Sequence, residues 1–459
     1  MPDVIVVGGG HNGLVAAATL RKAGRSVVLI EARDAVGGVG ELLFDGSTLS
    51  GEVAKTLGVA SDSRGAVVAV NGERTLDLGG SIDDPGYAGW AAWVDKVKAA
   101  LAAQLDNPSP DIRSAAPILP LAKAGFSVRK LGKADMMELL RSAPSCVDDW
   151  LSEHMSDAFL KAALMAPALH GTWMGPRSPT SAASLLLRAA MQQASCDPRT
   201  LGEQLETTAA GVGVEIHTGT AVARIRVEEG RVAGVELADG SAIDATTVLS
   251  CVGPKRTLLD LLDPRVVPGK LAHQARVIRV RGTLAQLRLQ VSGFDWPGKR
   301  LRIVQDPMHL ERAFDDVKFR RLPTVPPPLE VSVDDDGVRV NCWSAPWELD
   351  GGWTGEARKA LTDAMLDSLG TALPGLRDAW EVTELLTPAD IERTWGLDGG
   401  HPMHGELALD QLGPMRPSMQ LSRYGTPIDG LFLGSAGVHP GGGISGRPGL
   451  LAAKAIAGR

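Results

Sequence analysis

Three glycines near the start of the chain follow the spacing Gly8-x-Gly10-x-x-Gly13, and an acidic residue, Glu31, comes later. Gly8 permits a tight turn, Gly10 lets backbone approach a pyrophosphate, and Gly13 lets a helix pack closely on a strand. The carboxylate of Glu31 is placed to accept hydrogen bonds from a ribose 2′-hydroxyl and would repel a 2′-phosphate. These residue types at this spacing predict a dinucleotide site.

The elements around the glycines have the order that such a site needs. Val4 to Val7 is an apolar run typical of a buried parallel strand, Leu14 to Ala23 predicts a helix, and Ser26 to Ile30 predicts a second strand. The start of the helix offers unpaired N–H groups and a partial positive charge to phosphates. A glycine turn without a ligand is the alternative, and the order of the elements disfavours it.

A second glycine pair indicates which dinucleotide is bound. The stretch Glu31-Ala32-Arg33-Asp34-Ala35-Val36-Gly37-Gly38 resembles the E-x-R-x-x-x-G-G signature of the large FAD-binding amine oxidase and phytoene desaturase superfamily. The resemblance implies FAD, with a loop at Gly37 and Gly38 closing over the diphosphate. An NAD-dependent dehydrogenase is the less favoured alternative.

The C-terminal region contains a second glycine-rich turn. Gly430 to Gly434 predicts a short strand, three glycines stand at 441–443, and Pro448 to Ala457 predicts a helix. Consecutive glycines are favoured where backbone must approach another group closely. A helix start aimed at the flavin pyrimidine edge would stabilise negative charge on the reduced ring. A flexible tail loop is the alternative.

Further segments carry a more specific resemblance. Gly400 to Leu412, Met415 to Pro417, His439 to Gly443, Glu311 to Asp316 and Cys342 to Pro346 are similar to phytoene dehydrogenase-related flavoproteins. That group includes phytoene desaturase, carotenoid isomerase and retinol saturase, and the nearest similarity is to the pyridine nucleotide-disulphide oxidoreductase domain-containing branch. The resemblance implies non-covalent FAD and either oxidation of a C–C or C–N bond, or isomerisation, of a largely apolar small molecule.

Two segments depart from the family pattern. Val39 to Leu57 is shorter than in relatives, and Gln193 to Arg199 lacks their glycine-rich stretch beside the flavin. A flavin-binding isomerase, or an interaction protein with structural FAD, is therefore kept as the alternative to an FAD-dependent dehydrogenase or desaturase.

The residues expected to bind FAD come from both ends of the chain and its middle. They are Gly8, Gly10, His11, Asn12, Gly13, Glu31, Ala32, Arg33, Gly37, Gly38, Val222, Cys251, Gly434, Ser435, Gly442, Gly443 and Ile444. The family architecture places backbone near Val222 beside the adenine. Ser435 stands where many flavoproteins have an Asp on the ribityl chain, so a backbone contact is expected there. Cys251 is expected to be a small packed residue rather than a nucleophile.

The candidate catalytic residues are His439, His404 and Glu406. His439 directly precedes the glycine turn and is the first choice for a side chain near the flavin, although it could equally hydrogen-bond to backbone. His404 and Glu406 are candidates for proton transfer or orientation. The alternative for Glu406 is a structural ion pair with Arg416. For Arg447, contact with flavin or an anionic substrate group is weighed against simple solvation.

The fold expected from these patterns is α/β, with a discontinuous Rossmann-type FAD-binding domain and an inserted α+β substrate domain. Residues 1–75, 201–262 and 398–459 are assigned to the first, and residues 76–200 and 263–397 to the second. Turns at Glu229-Gly230 and Asp239-Gly240 predict hairpins. A strand is also predicted from Arg276 to Arg281.

One helical stripe has two interpretations. Apolar side chains recur at helical spacing at Trp90, Trp93, Val94, Val97, Leu101 and Leu105. We favour a core-facing stripe, with a membrane surface or an apolar channel as the alternative.

Composition excludes several classes of partner. The 47 basic and 54 acidic residues give a formal charge of -7 without a Lys/Arg block, so no nucleic-acid partner is expected. Four separated cysteines predict free thiols in a reducing compartment and no metal site. No apolar run is long enough to span a bilayer, and a strand starts almost at once. A cytoplasmic protein acting on a small apolar molecule is expected, with peripheral membrane contact and oligomeric state left open.

Overall fold

The computed structural model describes residues 1–59, 67–72, 74–110, 128–334, 337–377 and 379–458. The strands are β1 (Val4–Val7), β2 (Val27–Ile30), β3 (Val68–Asn71), β4 (Arg74–Asp77), β5 (Glu215–His217), β6 (Val222–Glu228), β7 (Arg231–Leu237), β8 (Ala242–Asp244), β9 (Val248–Ser250), β10 (Ala285–Val291), β11 (Arg300–Ile303), β12 (Leu329–Asp334), β13 (Gly337–Cys342), β14 (Trp380–Leu386) and β15 (Leu431–Leu433). The helices are α1 (His11–Lys22), α2 (Gly51–Leu57), α3 (Tyr87–Leu105), α4 (Lys133–Ser142), α5 (Val147–Ser152), α6 (Ala158–Leu169), α7 (Ser181–Met191), α8 (Pro198–Gly211), α9 (Pro254–Leu259), α10 (Gly269–Arg276), α11 (Pro307–Lys318), α12 (Gly355–Ala372), α13 (Pro388–Trp395) and α14 (Arg447–Ala457).

A parallel sheet with the strand order β15-β9-β1-β2-β5 contains the start of the chain. Every residue of β1 and β2 is buried, as their uninterrupted apolar sequences require when helices cover both faces. Helix α1 packs against α14 and α8. The sheet draws its strands from three separate stretches of sequence, and the Rossmann-type fold expected from the sequence is confirmed.

A three-stranded antiparallel sheet, β6-β7-β8, follows β5 in the chain. The turns at Glu229-Gly230 and Asp239-Gly240 join its strands, so both predicted hairpins are confirmed. Glu229 and Gly230 both have positive φ angles (48° and 79°), the backbone conformation that lets a two-residue turn match the twist of its strands.

The largest sheet has seven strands in the order β14-β10-β13-β12-β11-β3-β4. All neighbouring strands run antiparallel except β11 and β3. Helix α12 covers one face, with Leu361, Met365 and Leu369 in the same core cluster as Leu287 and Val340. The predicted domain boundary at residue 75 falls inside β4, and β3 and β4 belong to this sheet; the two-domain division itself remains a proposal.

Helices α3 to α7 form a separate layer with its own core. Trp90, Val94, Val97 and Leu105 are buried on one face of α3, and Trp93 and Leu101 pack partly buried beside them. Trp90 contacts Trp150 with a ring-centroid distance of 5.8 Å. The stripe faces the protein interior, as the favoured interpretation expects, and Trp90 and Val94 also line a pocket there.

The strand predicted from Arg276 to Arg281 is wrong. Helix α10 ends at Arg276, and the following residues join no sheet. The backbone of Arg279 is bonded elsewhere: its N–H donates to Gln411 Oε1 at 2.7 Å, and its carbonyl accepts from Glu406 N at 3.0 Å. These bonds to the C-terminal loop replace the ladder that the alternating sequence suggested.

Across the described parts of the chain, no helix combines the length and the apolar character needed to cross a bilayer.

Candidate functional site

Four residues of interest lie at one edge of the parallel sheet. Gly8, Glu31, Cys251 and Gly434 directly follow the carboxyl ends of β1, β2, β9 and β15. Because the strands are parallel, these ends meet on the same side of the sheet, where open α/β sheets bind ligands. The sequence assigned all four to the FAD site from separate motifs, and the structure brings them together.

The glycines of the first turn have three different surroundings. A Cβ added at Gly13 would overlap the carbonyl oxygen of Gly8, so Gly13 is needed for contact between helix and turn. Gly8 has a φ of +101°, which favours glycine. A Cβ at Gly10 would meet nothing nearer than Gly38 Cα at 3.9 Å. This is an ordinary van der Waals contact, so the second glycine pair packs against the first turn at Gly10.

Helix α1 begins at this turn, and no side chain of the described residues caps its N-terminal N–H groups. Its first residues, His11 and Asn12, are buried. Asn12 Nδ2 lies 3.0 Å from His11 Nε2, and Asn12 Oδ1 accepts from Gly449 N at 3.5 Å. Asn12 thus joins the starts of α1 and α14, so the two helix ends are fixed relative to each other.

Glu31 is held by backbone at the end of β2. Its carboxylate accepts hydrogen bonds from Gly9 N at 2.6 Å and from Arg33 N at 2.9 Å. A carboxylate has about four acceptor positions, so these two bonds leave capacity for a ribose hydroxyl. The residues present therefore fit the ADP half of FAD.

The second glycine pair packs directly on the first. Gly37 N donates to Gly9 O at 2.9 Å, and a Cβ at Gly38 would lie 3.0 Å from Gly10 Cα. Ala32 is exposed between Glu31 and Arg33. Arg33 stacks on the ring of Trp395 at 5.0 Å, which holds the loop in place from outside.

The segment before Val222 passes alongside Glu31. Glu31 N donates to His217 O at 2.8 Å, and Thr220 N donates to Glu31 O at 2.9 Å. Val222 opens β6 just beyond these bonds. Backbone near Val222 is thus close to the residue expected to hold the ribose, which is consistent with its expected position beside the adenine.

Cys251 and Ser435 occupy tight positions at the sheet edge. A Cβ at Gly434 would lie 3.1 Å from Cys251 Sγ, and Ser435 Oγ accepts from Gly437 N at 3.2 Å. Burial raises the pKa of the Cys251 thiol, so it is protonated and unsuited to nucleophilic attack. Packing is the role that this position supports.

Protein side chains approach the three consecutive glycines closely. A Cβ at Gly441 would overlap Arg416, one at Gly442 would lie 3.1 Å from Met191 Cε, and one at Gly443 would lie 2.7 Å from Thr48 Oγ1. Ile444 N donates to Thr48 Oγ1 at 3.1 Å. The close approach that the glycine run predicted is therefore present, made here by side chains of this chain.

Arg416 holds this turn through hydrogen bonds to backbone, and no carboxylate of the described residues pairs with it. It is 1% exposed, and its guanidinium donates to the carbonyl oxygens of Met403, Gly405, Glu406, Gln411 and Ala436. The predicted alternative of an ion pair between Glu406 and Arg416 is wrong, because Arg416 bonds the backbone of Glu406. The carboxylate of Glu406 instead pairs with Arg281 at 2.7 Å and Arg279 at 3.2 Å.

Arg447 is also a structural residue. It is 1% exposed, so the expected solvated arginine is wrong. Its Nε pairs with Asp106 at 2.8 Å, and its Nη1 donates to Thr48 O at 3.1 Å. Arg447 therefore connects α14 to α3 and to the segment that contacts the glycine turn.

His439 is buried beside the glycine turn. Its Nε2 lies 3.0 Å from Asn107 O, which can only accept, so Nε2 carries the hydrogen. Its Nδ1 is buried and has no hydrogen-bond partner among the described residues. Burial lowers the pKa of His439 to about 4, so the ring is neutral near pH 7. His439 thus makes the backbone hydrogen bond expected as one alternative. Its Nδ1 remains an acceptor without a partner among the described residues.

His404 lies beside the Gly253–Pro254 turn. A Cβ at Gly253 would lie 3.3 Å from His404 Nδ1, and one at Gly437 would lie 3.1 Å from His404 O. Burial lowers the pKa of His404 to about 3. A neutral, enclosed imidazole of this kind packs the loops together at neutral pH.

A pocket of about 420 Å³ opens between the helical layer and the seven-stranded sheet. Its ionisable lining residues are Arg188, Arg300, Arg302, Asp45, Glu330 and His170, and we call it the arginine pocket. Apolar side chains from α3, α6 and α7 line the rest, including Trp90, Leu164 and Leu185. None of the charged residues was singled out from the sequence. The signal was the alternation Arg300-Leu301-Arg302-Ile303, which places two arginines on one face of a strand whose other face is buried.

The arginine pocket is close to the C-terminal glycine turn in space, through two segments that touch both. Ser47 lines the pocket, and the next residue, Thr48, bonds Ile444. Gln192 lines the pocket from the other side and follows Met191, whose carbonyl lies 3.4 Å from Arg447 Nη1. The segment from Val39 to Leu57, which is shorter than in relatives, thus lies between the arginine pocket and the C-terminal glycine turn.

Comparison with known proteins gives two family matches. Residues 6–41 match the model of an NAD(P)-binding Rossmann-like domain, and residues 152–446 match that of FAD dependent oxidoreductases. The first covers the glycine turn, Glu31 and Gly37–Gly38. The second covers more than half of the chain and includes the C-terminal glycine turn.

Relatives agree with these matches. The rat (Rattus norvegicus) pyridine nucleotide-disulfide oxidoreductase domain-containing protein 2 is 27% identical across 99% of this chain and 93% of its own length. All-trans-zeta-carotene desaturase of Myxococcus xanthus is 24% identical over 54% of this chain and 48% of its length. The resemblance to phytoene dehydrogenase-related flavoproteins is confirmed.

A solved structure shares the fold. A triple mutant of putrescine oxidase superposes with a TM-score of 0.57 at 18% identity, covering 100% of this chain and 98% of the other. At this identity the likeness concerns the fold. It agrees with an α/β Rossmann-type architecture.

Proposed function

The chain belongs to the FAD dependent oxidoreductase family, and from that premise we propose that it oxidises an apolar or amphipathic small molecule by hydride transfer to the flavin. The observation that carries the proposal is the adjacency of the arginine pocket to the C-terminal glycine turn through Ser47 and Thr48. A substrate held in this pocket would lie near the C-terminal glycine turn.

The ADP half of FAD is supported by the sheet edge. The tight glycine turn ends at the start of α1, whose N-terminal N–H groups have no side-chain cap among the described residues, and Glu31 retains acceptor capacity. When bound, FAD supplies the acceptor for two electrons, so the protein need only bind, orient and protect the reacting groups.

The residues of the chain would perform those tasks in different ways. The turn from Ser435 to Gly442 is buried, which excludes water from the C-terminal side of the site. We propose that His439 presents its unpartnered Nδ1 as a hydrogen-bond acceptor and that His404 positions the neighbouring loop. Glu406 acts through its ion pairs with Arg279 and Arg281, which makes it a positioning residue.

We also propose a cytoplasmic location and the two-domain division given above. The four cysteines are free thiols, which suits a reducing compartment.

Anaerobic absorption spectroscopy tests the proposed reaction. The FAD-loaded protein is mixed with candidate substrates in the absence of oxygen, and the oxidised-flavin band is followed while the product is identified. Loss of the band with formation of one equivalent of oxidised product is the expected result. An isomerised product with the flavin still oxidised would favour the isomerase alternative.

A pocket-filling variant provides the matched control for this experiment. Ala189 lines the arginine pocket, so Ala189→Trp should block substrate-dependent bleaching while FAD stays bound. Ala99→Trp, at an exposed position on α3, should leave the bleaching rate unchanged.

A further inference from the structure

The arginine pocket contains more positive than negative charge. Three guanidinium groups, from Arg188, Arg300 and Arg302, face two carboxylates, from Asp45 and Glu330. Burial lowers the pKa of His170 to about 3, so this histidine is neutral near pH 7. The polar lining therefore carries a net charge of about +1, although the whole chain has a formal charge of -7.

The two carboxylates neutralise the arginines incompletely. Glu330 pairs closely with Arg302, at 3.3 Å from Nη2 to Oε1. Asp45 lies 3.8 Å from Arg188 and 3.9 Å from Arg300, beyond hydrogen-bond distance for either guanidinium. Within the described part of the chain, Arg188 therefore has one hydrogen-bond partner, the carbonyl of His170 at 3.1 Å from its Nη2.

Two buried donor groups in this pocket lack an acceptor. The Nε atoms of Arg188 and Arg302 are buried and have no hydrogen-bond partner among the described residues. Arg302 is only 7% exposed, and the side chain of Arg188 is 11% exposed. Leaving a charged donor buried and unpaired is costly, and burial also lowers the pKa of both arginines. An anion bound in the pocket would offset the unbalanced positive charge of these two guanidinium groups.

The remaining wall of the pocket is apolar. Trp90 and Val94 of α3, Leu164 and Pro167 of α6, and Leu185 of α7 line it. A volume of about 420 Å³ lies within the range of small-molecule pockets. The combination of a buried positive charge and an apolar wall selects a molecule that carries both an anionic group and an apolar body.

We propose that the arginine pocket binds the anionic head group of an amphipathic substrate, with Arg188 and Arg302 as its partners and a carboxylate as the group that matches a guanidinium fork. This assignment rests on the proposed function, because it places the substrate of the flavin reaction. It narrows the substrate class from apolar molecules in general to amphipathic anions. A pure hydrocarbon has no anionic group to offset the excess positive charge of the pocket.

Calorimetry on the FAD-loaded protein tests the assignment with three probes of equal chain length: octanoate, octanol and octylammonium. Octanoate should bind at least about tenfold more tightly than octanol, and octylammonium should bind most weakly. Equal affinity for octanoate and octanol, or no binding of octanoate, would overturn the assignment. This comparison uses the wild-type protein, so its outcome is independent of how any variant folds.

Substitution of Arg188 locates the binding group. Arg188→Gln should reduce octanoate affinity about tenfold and leave octanol affinity unchanged, while Arg188→Lys should retain part of the preference. Arg265→Gln removes an equal charge from a side chain that is 87% exposed and should change neither affinity. An unchanged octanoate affinity in Arg188→Gln would contradict the assignment.

Failure of this assignment is distinguishable from failure of the proposed function. Calorimetric heat does not depend on flavin reduction. Selective octanoate binding without any anionic substrate that bleaches the flavin would leave the anion site standing and reject the redox proposal. Bleaching by a substrate that binds equally well to Arg188→Gln and to the wild type would support the redox proposal and reject the anion site.

Discussion

Backbone lines the edge of the parallel sheet, whereas charged side chains line the arginine pocket. At the sheet edge, glycines permit backbone contacts such as Gly38 against Gly10 and Gly13 against Gly8. In the pocket, arginines from α7 and β11 converge with carboxylates from Asp45 and β12. The first site depends on the absence of side chains, and the second on an incomplete balance of charges.

The comparison explains how the two sites would respond to substitution. A site made of backbone contacts has no room for an added atom, so even one methyl group should disrupt it. A site made of charges should tolerate changes in shape and respond to changes in net charge. Substitutions at the two sites should therefore differ in whether added atoms or changed charges have the larger effect.

Gly13→Ala should cause the greatest loss. The added Cβ overlaps the Gly8 carbonyl oxygen, so α1 must move away from β1, and we expect a destabilisation of about 3 kcal/mol with loss of bound FAD. Urea unfolding and the FAD content after gel filtration measure both effects. Gly211→Ala, where nothing lies within 4 Å of the new Cβ, is the matched control. Full FAD retention in Gly13→Ala would contradict the packing argument.

Glu330→Gln should destabilise the protein by about 3 kcal/mol, because it leaves Arg302 buried beside a neutral partner. Octanoate should then raise the melting temperature of the variant more than that of the wild type, since an added anion replaces the missing charge. Glu384→Gln, which removes a half-exposed partner of Arg288, is the control. Equal stabilisation by octanoate in both proteins would remove the charge-balance explanation.

Glu406→Gln should destabilise the protein by about 2 kcal/mol at pH 7 while leaving the rate of flavin bleaching unchanged. Burial opposes ionisation of Glu406, but the hydrogen bond from Arg281 outweighs it, and the pKa of this carboxyl is lowered. The stabilisation is therefore complete above about pH 4.3, the unfolded value, and is lost as the pH falls toward the folded pKa. Denaturation at pH 7 and in acid should show that the difference in stability between the variant and the wild type disappears as the pH falls. A large fall in bleaching rate would instead make Glu406 a proton carrier.

His439→Gln should have a smaller effect, a gain in stability relative to the wild type that depends on pH. Burial holds the folded pKa of His439 near 4, so the unfolded chain binds a proton below about pH 6.5 that the folded chain does not. Stability therefore falls as the pH drops from 6.5 toward 4, by up to about 1.4 kcal/mol per pH unit for this group. Gln can still donate to Asn107 O, so the variant should lose less stability than wild type between pH 6.5 and pH 5. An identical pH slope would show that His439 is charged in the folded protein.

Sequence reasoning located the sheet edge because glycine spacing and strand order are local properties. Gly8, Gly13 and Glu31 stand within two strands and one helix, so their arrangement follows from the chain itself. The C-terminal turn was also recognisable, since its glycines are consecutive. Its actual neighbours, Thr48 and Met191, were not, because they come from distant segments.

The arginine pocket was missed for the same reason. Arg188, Arg302 and Glu330 lie on a helix and two strands that are far apart in sequence. The strand predicted from Arg276 to Arg281 failed because Gln411 and Glu406 compete for its backbone hydrogen bonds, and no local pattern reveals that competition. Pairings between distant residues, rather than local preferences, decided both outcomes.

The most direct test of the account is anaerobic titration of the FAD-loaded protein with N-octylglycine, which has a carboxylate, an oxidisable C–N bond and an apolar chain. The account predicts that the oxidised-flavin band falls as substrate is added, and that Arg188→Gln shifts the titration to about tenfold higher concentration. Octylamine, which lacks the carboxylate, should bleach the flavin far less well. Bleaching by both compounds at equal concentration, or an unshifted titration in Arg188→Gln, would contradict the assignment of the carboxylate to the arginine pocket.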